Sequence, residues 1–409
     1  MKSTPTISLI LITIAFPLHA YELGKKSVEN LNKPSFSTDS LLGLEWQRNH
    51  ERLTAMSLQC LADANRNNAS LENKPTDCSY LDSSNMDFEI FKQQDSKSEI
   101  QKYFQLLRTV RWPDDPTRQI YLSDKSSAKF AVTVKEICSG RIEDDIDNKI
   151  VLPRDGILCT SHYGSLQFLH AMAEKDGEEH RVTQELMETW SRFAFDLSKG
   201  TIDLTDNYHK FWIKNDAYQP LVQVMQADKI KEWGWHKDRD IPAYLYIFNW
   251  DLFDDPDGTF NAWTLGSLFS MECDAATQSS TCGQIEDENE IRLSALGSII
   301  HMIQDSYSNS HTNRSTFGAK PTISCSPITQ FYSYTNQSSD THSESDKWPD
   351  FECGDNPITL DPVTAAAQVI WLHNNPTSRG EDVQDIIKKV ISHPGIARSS
   401  GSGTSYKKI

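Results

Sequence analysis

Residues 295–311 read Ala295-Leu296-Gly297-Ser298-Ile299-Ile300-His301-Met302-Ile303-Gln304-Asp305-Ser306-Tyr307-Ser308-Asn309-Ser310-His311. With the residues just before them they carry helical periodicity. Leu293, Leu296, Ile300 and Ile303 fall at i, i+3, i+7 and i+10 within 290–307. His301 and Asp305 are four apart on that helix, so they project from one face, one turn apart and rotated away from the apolar stripe. His311 follows past the predicted helix end, where the chain can turn back. A neutral imidazole and a carboxylate suit zinc at about 2.0–2.2 Å. The same pair standing alone reads equally well as a surface His–Asp contact worth a few tenths of a kcal/mol.

A second pair changes that balance. His342 and Asp346 are again four apart, in the polar stretch after His311. The loop over 316–355 is long for a structureless connection, which predicts that it is functional or held by a bridge.

Outward from this centre, helical spacing recurs over 41–65, 100–110, 166–173, 184–197 and 362–373, the last with Pro362 in a first turn. Alternating patterns are few, 130–134 being one. The predicted fold is mainly α, a single multi-helix domain built around a metal cluster, with disulfide-tied loops. Residues 21–397 form that domain, and the Ser/Gly-rich residues 398–409 are expected to be a flexible tail.

The first twenty residues have the three-part layout of a secretory signal peptide: Lys2, an apolar run over 7–16, then Pro17-Leu18-His19-Ala20. Tyr21 is then the expected mature start and the location is secreted, periplasmic or extracellular. That run is shorter than the ~20 residues a membrane-spanning helix needs, and no later segment is apolar enough to span. Eight cysteines, an even number in a chain read as secreted, point to disulfides. In sequence order they pair locally as Cys60–Cys78, Cys138–Cys159, Cys273–Cys282 and Cys325–Cys353, although eight cysteines allow about a hundred connectivities. The last bridge would clamp the His342/Asp346 loop. A formal charge of −17 disfavours broad attraction to polyanions, so no stable nucleic-acid partner is expected.

His301-x3-Asp305-x5-His311 followed by His342-x3-Asp346 resembles the trinuclear-zinc superfamily, which holds the bacterial zinc-dependent phospholipases C and the fungal single-strand nucleases. The wording His-Met-Ile-Gln-Asp-Ser-Tyr-Ser-Asn-Ser-His is most similar to a secreted bacterial phospholipase C branch. The resemblance implies two or three zinc ions per chain. It makes Asp305 a carboxylate bridging two of them, His301 a ligand of one of that pair, and His311, His342 and Asp346 ligands of the remaining zinc. Cys159-Thr160-Ser161-His162-Tyr163-Gly164 looks like the family's Ser-His-aromatic segment and nominates His162, with His170 an alternative. Val110-Arg111-Trp112-Pro113-Asp114-Asp115 resembles its aromatic-x-Asp segment, which nominates Asp114 as ligand and as the group that orients or deprotonates water, with Asp115 in reserve. Asn49-His50-Glu51 resembles the position of an N-terminal histidine ligand, His50. The family's first mature residue binds zinc through its amine shortly before that histidine. Tyr21 lies much further upstream, so the arm folds back, processing continues, or a group such as Glu51 substitutes.

The activity so implied is hydrolysis of a phospholipid at a membrane surface, phosphatidylcholine above all, to diacylglycerol and a phosphorylated head group. A single-strand nuclease or nucleotidase is the alternative, and a secreted zinc-binding protein without catalysis a third reading. No Gly-x-Ser-x-Gly elbow suggests a serine lipase. Aromatics over 244–250 and 331–334 could face a choline-type head group through cation–π contact, or could be ordinary core and loop residues.

Overall fold

The computed structural model describes residues 49–66, 71–81, 99–118, 157–225, 264–274, 281–314, 326–338, 341–342, 359–391 and 397–407. The elements in chain order are α1 (Asn49–Ala64), α2 (Leu106–Thr109), α3 (Ile157–Tyr163), α4 (His180–Ser198), α5 (Tyr208–Lys214), α6 (Leu221–Met225) and α7 (Ser267–Ser270). There follow β1 (Met271–Asp274), β2 (Thr281–Gln284), α8 (Glu288–Asp305), β3 (Thr312–Arg314), β4 (Ile328–Phe331), α9 (Pro362–Asn374) and α10 (Gly380–Ile391). The fold is mainly helical, as the periodicity predicts. Its strands form two antiparallel pairs, β1 with β2 and β3 with β4. Among the described residues no helix is long and apolar enough to cross a membrane.

Helix α8 is the axis. It packs against α1, α2, α4, α7, α9 and the 3-10 turn Gln167–His170. Asp287 caps it, accepting from the amides of Asn289 and Glu290, with Glu288 and Glu290 in the first turn where the helix dipole favours them. The sequence predicts one apolar stripe, yet every side chain from Leu293 to Asp305 is buried. A helix enclosed by neighbours on all sides needs no solvent face. Its polar members are absorbed locally: Ser298 takes the Trp190 indole N–H at 3.0 Å and donates to the Ala295 carbonyl at 2.7 Å.

Two predicted helices take tighter forms. Residues 99–115 run through the 3-10 turn Glu99–Tyr103, the single turn of α2 and further turns closed by Trp112 N–H to Thr109 O and Asp114 N–H to Arg111 O. The segment 166–173 is a 3-10 turn, Gln167–His170, ended by Ala171 in the left-handed region at φ 52°. Each compact turn brings one ligand candidate, Asp114 or His170, to α8. The remaining predictions hold more simply, with α4 starting at His180, α9 capped by Asp361 and begun by Pro362, and α1 covering the described part of 41–65.

The Cys60–Cys78 disulfide is present and ties α1 to the loop after it. Cys159 is also disulfide-bonded. The β1/β2 register sets Cys273 opposite Cys282, a separation a disulfide can span. Cys138, Cys325 and Cys353 lie outside the described residues, as do the proposed signal peptide and the predicted strand at 130–134. The tail departs from its composition. Residues 397–407 lie against the body of the protein: Tyr332 bridges to Gly401, Gln337 bridges to Lys407, and Arg398 N–H donates to the Thr329 carbonyl. Backbone pairing to the β4 region holds what Ser/Gly content alone reads as flexible.

Gly297 is where α8 receives its neighbour. A Cβ there would lie 2.6 Å from the Thr109 carbonyl oxygen and 2.9 Å from the Val110 nitrogen. Gly297→Ala must therefore displace the 109–114 segment. The expected result is a loss of about 1–3 kcal/mol in denaturant unfolding, and an unchanged midpoint would show that the contact is slack.

His373 offers a pH test. It is buried, accepts from the Tyr103 hydroxyl at 2.9 Å and donates to the Ser198 carbonyl at 3.2 Å. Burial lowers its pKa to about 4 against the opposing pull of that carbonyl, with Lys199 and Lys102 adding to the depression. Between the ordinary histidine value and about 4 the unfolded chain binds more protons, so stability is intact above that window and is lost as pH falls through it. His373→Gln should flatten the decline by about 3 kcal/mol at its acid end. Parallel pH–stability curves for wild type and variant would contradict this.

Candidate metal centre

Seven of the eight nominated ligands lie in described residues, and the seven polar groups at the centre come from six chain segments. His50 stands in the first turn of α1, Asp114 in the turns after α2, His162 near the end of α3, and His170 at the end of its 3-10 turn. His301 and Asp305 come from α8, with His311 just beyond it. All seven are buried, and His342, the remaining nominee among the described residues, is buried too. Asp346 lies outside the described residues.

Two groups could each hold a metal ion: His50 with His301 and Asp305, and Asp114 with His162 and His170. Within each, one donor atom per residue lies within 4.8 Å of the others. The two groups touch. Asp305 Oδ1 is 3.4 Å from His50 Nε2, while its Oδ2 is 3.1 Å from His301 Nε2 and 2.9 Å from His170 Nδ1. Asp114 places Oδ1 3.6 Å from His301 Nε2 and 3.7 Å from His170 Nδ1, and Oδ2 3.8 Å from His50 Nε2. Asp305 therefore stands between the two ends of the cluster. The His50 and His301 rings stack at 3.8 Å, and those of His311 and His342 at 5.1 Å.

The donor set fits a cation. His301 Nδ1 donates to the Val110 carbonyl at 3.0 Å, so in the neutral ring Nε2 carries a lone pair facing the carboxylates. His311 Nδ1 donates to the His170 carbonyl at 2.7 Å. Tying one ring nitrogen to an oxygen is how metal-binding histidines are oriented. His170 is held well below the ordinary histidine range, by burial first and then by His301, His162, His311 and His50 around it. Its Nε2 is buried without a hydrogen-bond partner. Neutral imidazoles and two buried carboxylates thus converge as electron-pair donors, which a divalent cation would satisfy.

The open alternatives sort by geometry. Asp114 faces the cluster, whereas Asp115 accepts from the Thr117 hydroxyl at 3.1 Å. His162 and His170 are both present, with rings 5.1 Å apart. His170 reaches Asp305 and His301, and His162 lies further out with Ser161 Oγ 3.0 Å from its Nδ1. Glu51, the proposed substitute ligand, forms a buried ion pair with Arg111. That pair ties α1 to the segment carrying Asp114. Sequence reading missed this layer of Arg111, Gln304, Gln337 and the Val110 carbonyl. Only Gln304, a polar residue between His301 and Asp305 in an otherwise apolar helix, gave a sign of itself.

A small open cleft beside the cluster is lined by residues that include His162, His170, Met172, His311, Tyr334 and His342. Tyr334 packs edge-on against Tyr163 at 5.0 Å and against His342 at 4.5 Å. Of the aromatics singled out in the sequence, Tyr334 reaches this cleft, and 244–250 lie outside the described residues.

No protein-family model, curated protein or solved structure gives a significant match to this chain.

Proposed function

We propose that this chain is a secreted zinc hydrolase of phosphodiesters that splits phospholipids as a phospholipase C. One observation carries the reading: His50, Asp114, His170, His301 and Asp305, from four separate chain segments, converge in one buried cluster with Asp305 shared between its two ends. Zinc bound there would neutralise phosphoryl oxygens and acidify water near neutral pH. Asp305 holds the two ends in register through its two oxygens. Asp114, with both oxygens turned to the histidines, is placed to orient an attacking water and take its proton. His311 and His342 extend the donor set toward the cleft, and the resemblance adds Asp346 as a ligand.

The charge balance favours a phosphodiester even in an acidic protein. The two carboxylates of the central groups would only part-neutralise two divalent ions, leaving a local positive site. A lipid fits better than a polynucleotide, because a nuclease adds cations for neighbouring phosphates. Between 286 and 355 the only cations are Arg292, Arg314, Lys320 and Lys347. Arg292 is committed to Glu288 and the Leu197 carbonyl, and the buried Arg314 to the carbonyls of Ser306, Ser326 and Val390. Tyr334 at the cleft suits a cationic head group.

Elemental analysis of the purified protein is expected to give two or three zinc ions per chain. A strong chelator should abolish phosphocholine release from phosphatidylcholine vesicles, and zinc should restore it. One zinc or none, or full activity after exhaustive chelation, would sink the cluster. Asp305→Asn should abolish the reaction, and Asp114→Asn should slow kcat about a hundredfold or more. Efficient degradation of single-stranded DNA with phosphatidylcholine untouched would replace the lipid reading by the nuclease. Zinc bound with neither activity would leave a zinc-binding protein.

A further inference from the structure

Four histidines around the cluster meet a backbone carbonyl or a glutamine oxygen through Nδ1, and the source of that oxygen divides them. His301 and His311 use backbone carbonyls, of Val110 and His170. His50 and His342 instead meet glutamine side chains, Gln304 Oε1 at 2.7 Å and Gln337 Oε1 at 2.5 Å. Both glutamines are buried, at 0% and 1% exposure. An amide can be placed either way round, so its other partners decide which end faces the ring. Gln304 Nε2 lies 3.0 Å from Thr54 Oγ1 and 3.4 Å from the His50 carbonyl. Gln337 Nε2 lies 2.8 Å from the Ser310 carbonyl and 3.0 Å from the Ser402 carbonyl. Carbonyl oxygens only accept, so the amide nitrogens face them and the amide oxygens face the imidazoles. Each imidazole must then donate from Nδ1, which leaves Nε2 as the electron-pair donor.

We propose that Gln304 and Gln337 are positioning residues of the metal centre, which lock His50 and His342 as Nδ1–H imidazoles able to bind zinc through Nε2. The proposal rests on the metal reading above. Gln304 directly precedes Asp305, so one turn of α8 both supplies the shared carboxylate and orients the histidine across the gap on α1. Gln337 depends on the C-terminal segment, whose Ser402 carbonyl fixes its amide and whose Tyr406 carbonyl takes the Ser338 N–H at 2.6 Å. Residues 397–407 are thereby part of the centre although they supply no ligand. A neutral amide does this without adding a third negative charge beside Asp114 and Asp305, as a carboxylate would.

The test uses zinc-loaded, 15N-histidine-labelled protein and zinc competition against a chromogenic chelator. His50 and His342 should show slowly exchanging Nδ1–H protons. Gln304→Leu should remove the His50 signal and weaken binding of one zinc equivalent about 10- to 100-fold, and Gln337→Leu should do the same at His342. The two conservative variants should differ. Gln304→Glu should keep the signal and more of the affinity than Gln304→Leu, because its second oxygen meets the Thr54 hydroxyl, which can donate, with the His50 carbonyl further off at 3.4 Å. Gln337→Glu should lose both, because its second oxygen meets two carbonyls. Wild-type His50 and His342 protonated at Nε2 would overturn the proposal whatever the variants do. So would Leu variants that bind zinc with unchanged stoichiometry and affinity. Wild type that binds no zinc would overturn the metal reading itself, a separate result from zinc-replete wild type with indifferent variants.

Discussion

The constraint on which this structure turns is the cost of burying electron-pair donors against one another. Asp305 and Asp114 are sealed from water, and histidine nitrogens face them at 2.9–3.8 Å. A carboxylate sealed in such a place would be expelled or protonated unless neighbours stabilise its charge, as His170 Nδ1 does for Asp305 at 2.9 Å. The rest of the fold holds the arrangement in place. The buried Arg111–Glu51 pair joins the segments bearing His50 and Asp114, and backbone carbonyls restrain His301 and His311. Two groups within this scaffolding could each hold a metal ion.

Helix α8 turns that local demand into an architecture. To present His301 and Asp305 to partners on several sides, it must be covered on several sides, and its neighbours cover it from Leu293 onward. Gly297 admits the 109–114 segment so closely that the Val110 carbonyl reaches His301 one turn later. Where a side chain is missing from the axis, a ligand segment takes its place.

Much of this was legible in the sequence, for reasons that differ by residue. His301 and Asp305 are four apart in one short stretch, so helical spacing alone predicts their common face, and His311 follows just past the helix end. The helical class follows from the same periodicity. His50, Asp114 and the joint presence of His162 and His170 depend on how distant segments meet, and there the reading leaned on resemblance, which nominated His162 with His170 as the alternative. Gln304 was visible as a polar residue in an apolar helix, but its partner on α1 is 254 residues away, beyond any local pattern. In the tail, Ser and Gly content speaks of chain flexibility and is silent about backbone bridges such as Tyr332 to Gly401. The compact turns at 99–115 and 167–170 share an apolar spacing with α-helices, and tertiary demand chose the tighter winding.

The docked C-terminal segment has a consequence for how the chain comes into being. Donors are gathered from residue 50 through residue 342, and the carbonyl that steadies the last of them belongs to residue 402. Contacts spanning nearly the whole polypeptide form late and slowly, since each closes a long loop. On a ribosome, the helices near the start have finished synthesis while the final brace is still unmade. An incomplete chain, or one nicked near its end, carries nearly every donor but lacks that brace. The brace on Gln337 and His342 is thus made only once synthesis has passed residue 402.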